Sequence, residues 1–530
     1  LHRRRHSFPT RRSSDLPHAS SPESRFDPSH LHAFSVLIHI LNAFLVFNLI
    51  QLLLTNSIFL SSRSPATQRI ASSHSSKLNF QQWGASAFGS LLFLVHPLQT
   101  EAVAWISGFR DLLAGFFSLA AIHQYLVCIC FRIPSAPRKK IAYVWASAAF
   151  GSAILSKPSA VCVIPILGIL LFVKSRATNR RELFISLSLL LPWLGAAVLL
   201  AGLTYQTQSP FIYWIPPLYY RPFIAWDAFS FYLQKFLLIG SFAPDYGRTP
   251  SALLTTPQLG WTALGGAVIS GVIWKYRRRE PGIAAAFLVF SMALLPNSGW
   301  IPFTFQNLST VADRYAYLAL LGGSLGIAYF LRSLSRPKML AAGSALIILF
   351  GIITSRQVKI WENSETLLNY SLQQNPHSWF ALNNMGLYLQ RQGQPEKALA
   401  YHRQALELNP KALEIEYNYG TALLALHREP ELIDHYIKLI NKNPRLFGIH
   451  LNLALAYDQM GLVEEAISHA LQAVQINPNF WEGHYNLAGY FLRQNNREGA
   501  LTEYQTVLRL NPSSEMARLK VKELEGIKPQ

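Results

Sequence analysis

Acidic residues are scarce over the first two thirds of this chain. Between Pro17 and Ile360 there are 9 Asp and Glu against 27 Lys and Arg, set among long apolar runs. So little charge excludes an ordinary water-soluble domain for that stretch. It also removes the nucleic-acid reading that the overall charge of +19 would invite, because the bases fall in short connections between apolar runs. Cysteine is nearly absent as well, with only Cys128, Cys130 and Cys162, each inside an apolar run. That excludes a disulfide framework. Cys128 and Cys130 are two apart, so on a helix they point to different faces and form no metal pair. From Trp361 onward the balance changes to 18 acids and 15 bases, as expected of a soluble domain. The first residues stand apart: HSFPTRRSSDL (His6 to Leu16) reads as the translation of a sequencing adapter, and no apolar core follows it as a targeting peptide requires. Residues 1–16 are therefore expected to be an artefact, and 17–30 the remnant of an outer loop.

What is abundant is apolar sequence in span-sized pieces. A helix needs about 20 apolar residues to cross the hydrocarbon core. Candidate spans run over 31–55, 83–99, 104–131, 141–157, 159–174, 183–203, 258–275, 282–297, 314–331 and 338–355. Five connections carry the bases: Arg63 to Lys77, Arg132 to Lys140, Lys174 to Arg181, Lys275 to Arg279, and Arg332 to Lys338. Basic loops stay on the cytoplasmic side, so these five face inward and the alternate connections face outward. One further segment, RPFIAWDAFSFYLQKFLLIG (221–240), would break that alternation if it crossed. It is expected to lie in the plane of the outer surface, with Arg221, Asp227 and Lys235 on its wet face.

The remainder is periodic. Asn-Pro occurs at Asn375-Pro376, Asn409-Pro410, Asn443-Pro444, Asn477-Pro478 and Asn511-Pro512, each 34 residues after the last. That is the tetratricopeptide period, one pair of helices per unit. Small residues recur where the two helices must approach: Gly386, Ala398 and Ala405, then Ala466 and Ala473, then Ala500. Repeats are expected at about 377–410, 411–444, 445–478 and 479–512, the second degenerate, within a repeat domain of 356–530. The fold class is mainly α: a polytopic membrane helical domain at 31–355, then a tetratricopeptide-repeat α-solenoid.

Five stretches occur in an order that carries a resemblance: FLVHPLQTEAVAWISGFRDLLAG, LSKPSAVCVIPILGILL, APDYG, ADRYAYLALLG, and RQVKIWENSETLLNYSLQQNP running into the repeats. Over residues 28 to 520 the chain resembles the transmembrane and tetratricopeptide-repeat O-mannosyltransferases and their bacterial relatives. The resemblance implies a C-type glycosyltransferase fold, a polyprenyl-phosphate sugar donor (mannose by the family's activity), and an active site on the extracytoplasmic face. It further implies that the repeats present a protein or peptide acceptor there. The lipid bilayer is then a partner, nucleic acid is not, and the bacterial inner membrane is the expected location. The chain departs from the family where Gly-Arg-x-Asp becomes Gly108-Phe109-Arg110-Asp111. The family's catalytic acids lie in an outer loop that precedes the region recognisable here. The main base is therefore expected to be missing, and the chain so truncated is expected to be inactive.

Transfer from a lipid phosphate needs a carboxylate to take the acceptor's proton and cations to hold the departing phosphate. The acids at outer connections are Glu101, Asp227, Asp245 and Asp313, and Asp111 falls inside the span at 104–131. Glu101 and Asp245 are the candidate catalytic acids. Glu101 has a rival reading as the N-terminal charge of the next helix. Arg314, Lys235 and Arg110 are the candidate donor-phosphate cations. Arg314 suits a two-point phosphate contact, against plain interfacial anchoring. Asp111 beside Arg110 reads as an ion pair or as a catalytic acid. His96, before Pro97, reads as a helix terminator or a ligand. His96, Asp111 and Asp313 complete the set as supporting residues. No metal set is identified, and a divalent metal is compatible with the reaction. The rival to an enzyme is a membrane scaffold whose repeats recruit partners for envelope or complex assembly. A transporter is the weaker third, since it places ionisable groups near the bilayer midplane.

Overall fold

The computed structural model describes residues 28–55, 75–130, 136–175, 180–207, 214–237, 241–255, 258–278 and 280–526. The adapter-like start, residues 17–27, and the loop bases Arg63, Arg69, Arg132, Arg176 and Arg279 lie outside the described residues. The described chain is helical, with no strand among the described residues. Packing divides it into two units, one ending at Pro376 and one beginning at His377. The helix entering the first repeat thus belongs with the apolar unit.

In the apolar unit, α1 (Pro28–Thr55) packs on α2 (Ser75–Val95) and on α4 (Phe109–Cys130). The α4 helix runs along α5 (Ala136–Ser156). The short α3 (Thr100–Ala104) lies between α2 and α4. There follow α6 (Val163–Ser175), α7 (Arg180–Ser188), α8 (Leu191–Thr207), α9 (Arg221–Leu237), α10 (Pro250–Thr255) and α11 (Gln258–Tyr276). The unit closes with α12 (Pro281–Leu294), α13 (Leu320–Ser333), α14 (Arg336–Ile360) and α15 (Ser364–Gln374). Helix starts follow local chemistry. Proline, whose fixed φ suits a first turn, begins α10 and α12, and the Asn363 carboxamide accepts the Thr366 N–H at 2.9 Å to cap α15.

Each expected span overlaps a helix, though 183–203 is divided between α7 and α8, and 314–331 becomes α-helical only at Leu320. Among the described residues four segments are long and apolar enough to cross a membrane: Ser29–Thr55, Ile106–Ile129, Arg180–Leu203 and Arg336–Ile360. They mark the unit as membrane-associated. The stretch expected as one helix from 104 begins differently. Residues Ile106–Gly108 make a 3₁₀ turn and α4 starts at Phe109, which puts Asp111 in its first turn rather than well inside. Gly108 permits this turn, because a Cβ there would stand 2.4 Å from the Ala102 carbonyl oxygen. The in-plane reading of 221–240 also needs a correction. Asp227 is fully buried, not on a wet face, because it shares one stripe of α9 with Ile224, Ala228 and Phe231.

The solenoid pairs α16 (Trp379–Arg391) with α17 (Pro395–Leu408), α18 (Leu413–Ala425) with α19 (Glu429–Lys442), α20 (Phe447–Gln459) with α21 (Val463–Ile476), and α22 (Trp481–Arg493) with α23 (Arg497–Leu510). The last helix, α24 (Glu515–Leu524), covers the end. Each pair turns on a residue in the left-handed region: Gly393, His427, Gly461 and Asn495, again 34 apart. Burial of Ala398, Ala405, Ala466, Ala473 and Ala500 holds the paired helices close.

Candidate functional site

Three ion pairs of the apolar unit each join a carboxylate on an α-helix to a base from a turn or connection: Glu101 with Arg314, Asp111 with Lys157, and Asp227 with Arg248. Residues Asp313–Ala316 form a 3₁₀ turn ahead of α13. The Tyr232 hydroxyl on α9 fixes its approach, accepting the Ala312 N–H at 2.8 Å and donating to the Ala312 carbonyl at 2.9 Å. Arg314 then reaches α3. Its guanidinium pairs with Glu101, and its backbone N–H donates to the same carboxylate at 2.9 Å. Glu101 is 3% exposed, so this double contact is what makes a buried charge tolerable there. The guanidinium also lies over Phe305 at 4.3 Å, Tyr315 at 4.9 Å and Trp105 at 5.1 Å.

Asp111 takes a different partner from the one expected. It pairs with Lys157, from the joint between α5 and α6, and not with Arg110. Neighbouring residues diverge around a helix, and Arg110 is exposed, with no hydrogen bond or ion pair among the described residues. The Lys157 ammonium also sits 4.9 Å from the Tyr315 ring. Asp313 accepts from the Tyr246 hydroxyl at 2.7 Å. Burial, with Glu101 adding to it, pushes the Asp313 carboxyl well above its ordinary range. Lys235 donates to the Ser241 carbonyl among the Phe231, Phe242 and Tyr246 rings. Burial lowers its pKa, partly offset by Asp313.

Two expected residues do other things. The Asp245 carboxylate, buried, caps its own loop by accepting the Gly247 N–H at 2.8 Å and takes the Asn375 carboxamide at 3.2 Å. His96 is buried as the cap of the 3₁₀ turn Pro97–Gln99, its Nδ1 accepting the Leu98 N–H at 3.2 Å, with its ring stacked on Phe236. Asp227 forms a two-point pair with Arg248, at 2.5 and 3.3 Å.

One small open cleft brings part of this set together. Asp111, Lys157, Arg314 and Tyr315 line it, with Ser159 and Asn297. Of the expected residues, Arg314 and Asp111 face this cleft, and Glu101 stands behind Arg314. Lys235, Asp313, Asp245, His96 and Arg110 do not line it. Lys157 counts among the outer cations of the sequence, yet nothing local selects it for the donor phosphate; its meeting with Asp111, 46 residues earlier, singles it out. Two fixed cations beside a carboxylate can bind an anionic group and take a proton nearby. Among the described residues no group of three His, Cys, Asp or Glu is arranged to share a metal ion.

Comparison with known proteins places these features. Tetratricopeptide repeat families match residues 379–412 and 448–518. The protein O-mannosyl-transferase Tmtc3 of Drosophila melanogaster is 24% identical over 78% of this chain and 49% of its own length. Protein O-mannosyl-transferase TMTC1 of Mus musculus is 28% identical over 28% of this chain and 16% of its own. The match thus spans about half the length of the fly relative. Among solved structures, MamA from Desulfovibrio magneticus RS-1 has 22% identity over 32% of this chain and 96% of that one, with a TM-score of 0.27. The similarity to a protein O-mannosyl-transferase covers more of this chain than the tetratricopeptide repeats alone.

Proposed function

We propose that this chain is an integral-membrane glycosyltransferase-like protein that moves a sugar from a polyprenyl-phosphate donor to a protein hydroxyl on the extracytoplasmic face. The observation that supports this most is the cleft in which Lys157 and Arg314 stand side by side around Tyr315. In the reaction the acceptor oxygen bonds to the anomeric carbon as the bond from that carbon to the phosphate oxygen breaks. The phosphate leaves with the electron pair on its lipid, and the acceptor's proton passes to a carboxylate. Lys157 and Arg314 hold the departing phosphate. Asp111 is the carboxylate within the cleft. Glu101 is a positioning residue, because it fixes Arg314 through both backbone and side chain. The repeats hold the protein acceptor, and the relatives' names point to mannose as the sugar. The distribution of basic connections supports the reading of a multi-pass membrane domain whose cleft and repeats face outward.

The test is transfer of mannose from a polyprenyl-phosphate donor to an unfolded acceptor peptide in proteoliposomes, together with binding of the donor. Lys157→Ala is expected to weaken donor binding, and Arg314→Lys to lower turnover while keeping part of the binding. Donor binding that neither substitution changes would remove the cleft from the reading. A scaffold remains the second reading on one observation: the acids Glu101, Asp111 and Asp227 are each already neutralised by a base. No donor binding at all, with partners retained on the repeats, would favour it.

A further inference from the structure

Three successive repeats of the solenoid carry a cross-helix polar pair at equivalent positions. Residues 416, 450 and 484 recur at the repeat period on the first helix, and 435, 469 and 503 on the second. The pairs are Glu416 with His435, His450 with His469, and His484 with Glu503. The outer two join a ring nitrogen to a carboxylate at 2.5 Å, and the middle one joins two Nδ1 atoms at 3.1 Å.

Proton positions separate the three. His484 faces the Pro478 carbonyl through Nε2 at 3.0 Å and Glu503 through Nδ1. Both partners are acceptors, so the imidazolium satisfies both contacts. His450 also faces a carbonyl through Nε2, that of Pro444 at 3.0 Å, which leaves its Nδ1 as an acceptor. His469 must therefore donate from Nδ1. One added proton, on Nε2 of His469, leaves that bond intact. A second, on Nδ1 of His450, sets two N–H groups and two positive charges against each other.

Among the described residues no carboxylate bonds either ring, and Glu465, one turn before His469 on α21, is exposed. The Tyr457 ring on α20 stacks on His469 at 5.4 Å. From α19 the Tyr436 hydroxyl is engaged by Asn452, and from α22 Arg493 is engaged by Asp458 of α20. None of these bonds either ring of the pair among the described residues. Burial lowers the pKa of His469, and His450 lowers it further. A histidine held below its unfolded value destabilises the fold as pH falls through that value, near 6.5.

We propose that the His450–His469 pair is an acid-sensitive joint: mild acid loosens the third repeat, while the histidine–carboxylate pairs hold the second and fourth. Each repeat contacts only its neighbours, so a local opening in the third divides the solenoid into two arms.

Amide hydrogen exchange on the full chain in detergent, at about pH 7.5 and about pH 5.5 and corrected for intrinsic rates, reads this directly. Helices α20 and α21 are expected to lose about tenfold in protection at the lower pH, and α18, α19, α22 and α23 less than about twofold. His469→Glu copies the fourth repeat's pairing into the third and is expected to abolish the loss. An unchanged third repeat, or an equal loss in all repeats, overturns the proposal, as does a loss that persists in His469→Glu. If that variant does not fold, the comparison among repeats of the unsubstituted chain decides alone.

Discussion

The two units differ in how they use charge, although the solenoid too has a cross-helix pair with a buried carboxylate, Arg493 with Asp458. In the apolar unit each of three ion pairs has a carboxylate no more than 10% exposed, and its partners come from separate elements: Arg314 with Glu101, Lys157 with Asp111, Arg248 with Asp227. In the solenoid, Lys438 with Asp434 and Lys520 with Glu523 lie within single helices at the surface, the first pair mostly in solvent. The same chemical bond therefore has different consequences. A buried pair holds distant joints together and is costly to break on one side, whereas an exposed pair is screened and nearly neutral. Close helix approach at small residues adds stability throughout the solenoid.

The comparison is broken most severely at Arg314. Arg314→Ala leaves Glu101 buried without its cation, and loss of one partner of a buried pair costs roughly 3–5 kcal/mol. The expected outcome is a large fall in the melting temperature of the apolar unit in detergent, with insertion retained. Adding Glu101→Gln should restore much of it, since a neutral amide tolerates burial better than an orphaned carboxylate. A double variant no better than the single would show that the Glu101 charge is not what the missing cation exposes.

The matching break in the solenoid is steric. A Cβ on Gly420 would fall 1.9 Å from the Tyr436 hydroxyl, whose bond to the Tyr417 carbonyl holds it in place. Gly420→Ala is expected to destabilise the second repeat by about 1–3 kcal/mol, as overpacking does. Gly489, with nothing near its Cβ position, serves as the control: Gly489→Ala should be neutral or stabilising by up to about 1 kcal/mol. Protease resistance of the repeats orders the two variants.

How much of this was legible in the sequence follows from the same contrast. The Asn-Pro phase gives the solenoid directly, because each repeat closes on contacts within its own 34 residues. In the apolar unit helices could be placed, yet the pairing of charges could not. Arg314 finds Glu101 across 213 residues of chain. Asp111 passes over the adjacent Arg110 for Lys157, since adjacent residues leave a helix in different directions. Asp227 looked solvated beside Arg221 and Lys235. The helical period instead puts it on the buried stripe, where Arg248 from a later loop meets it. Local pattern specifies elements, and long-range closure specifies this site.

A pH measurement sharpens the comparison at smaller cost. The Asp313 carboxyl stands well above the ordinary aspartate value of 3.8, chiefly through burial. Between that value and its folded-state pKa, the folded chain holds a proton that the unfolded chain has released. Stability contributed by this group therefore falls as pH rises through that window. Asp313→Asn keeps an oxygen for the Tyr246 hydroxyl and removes the titration. The difference in melting temperature between variant and parent should grow in the variant's favour from about pH 4.5 to about pH 8. A constant difference would mean that Asp313 stays ionised in the fold.

The smallest effect belongs to the exposed pair in α19. Lys438 reaches Asp434 at 2.7 Å, as good a geometry as any in the apolar unit, but both side chains are 69% exposed. Water screens the attraction, and holding two long side chains in one arrangement costs entropy that offsets most of what is left. Lys438→Ala should therefore change stability by no more than about 0.3–0.5 kcal/mol, and salt at about 1 M should erase the difference. Arg314→Ala under the same salt should keep nearly all of its cost, because the ions do not reach a pair that is 3% and 10% exposed. If salt abolished both effects alike, the Arg314–Glu101 pair would be solvated in the working protein. The contrast between the two units would then be one of distance along the chain and not of burial.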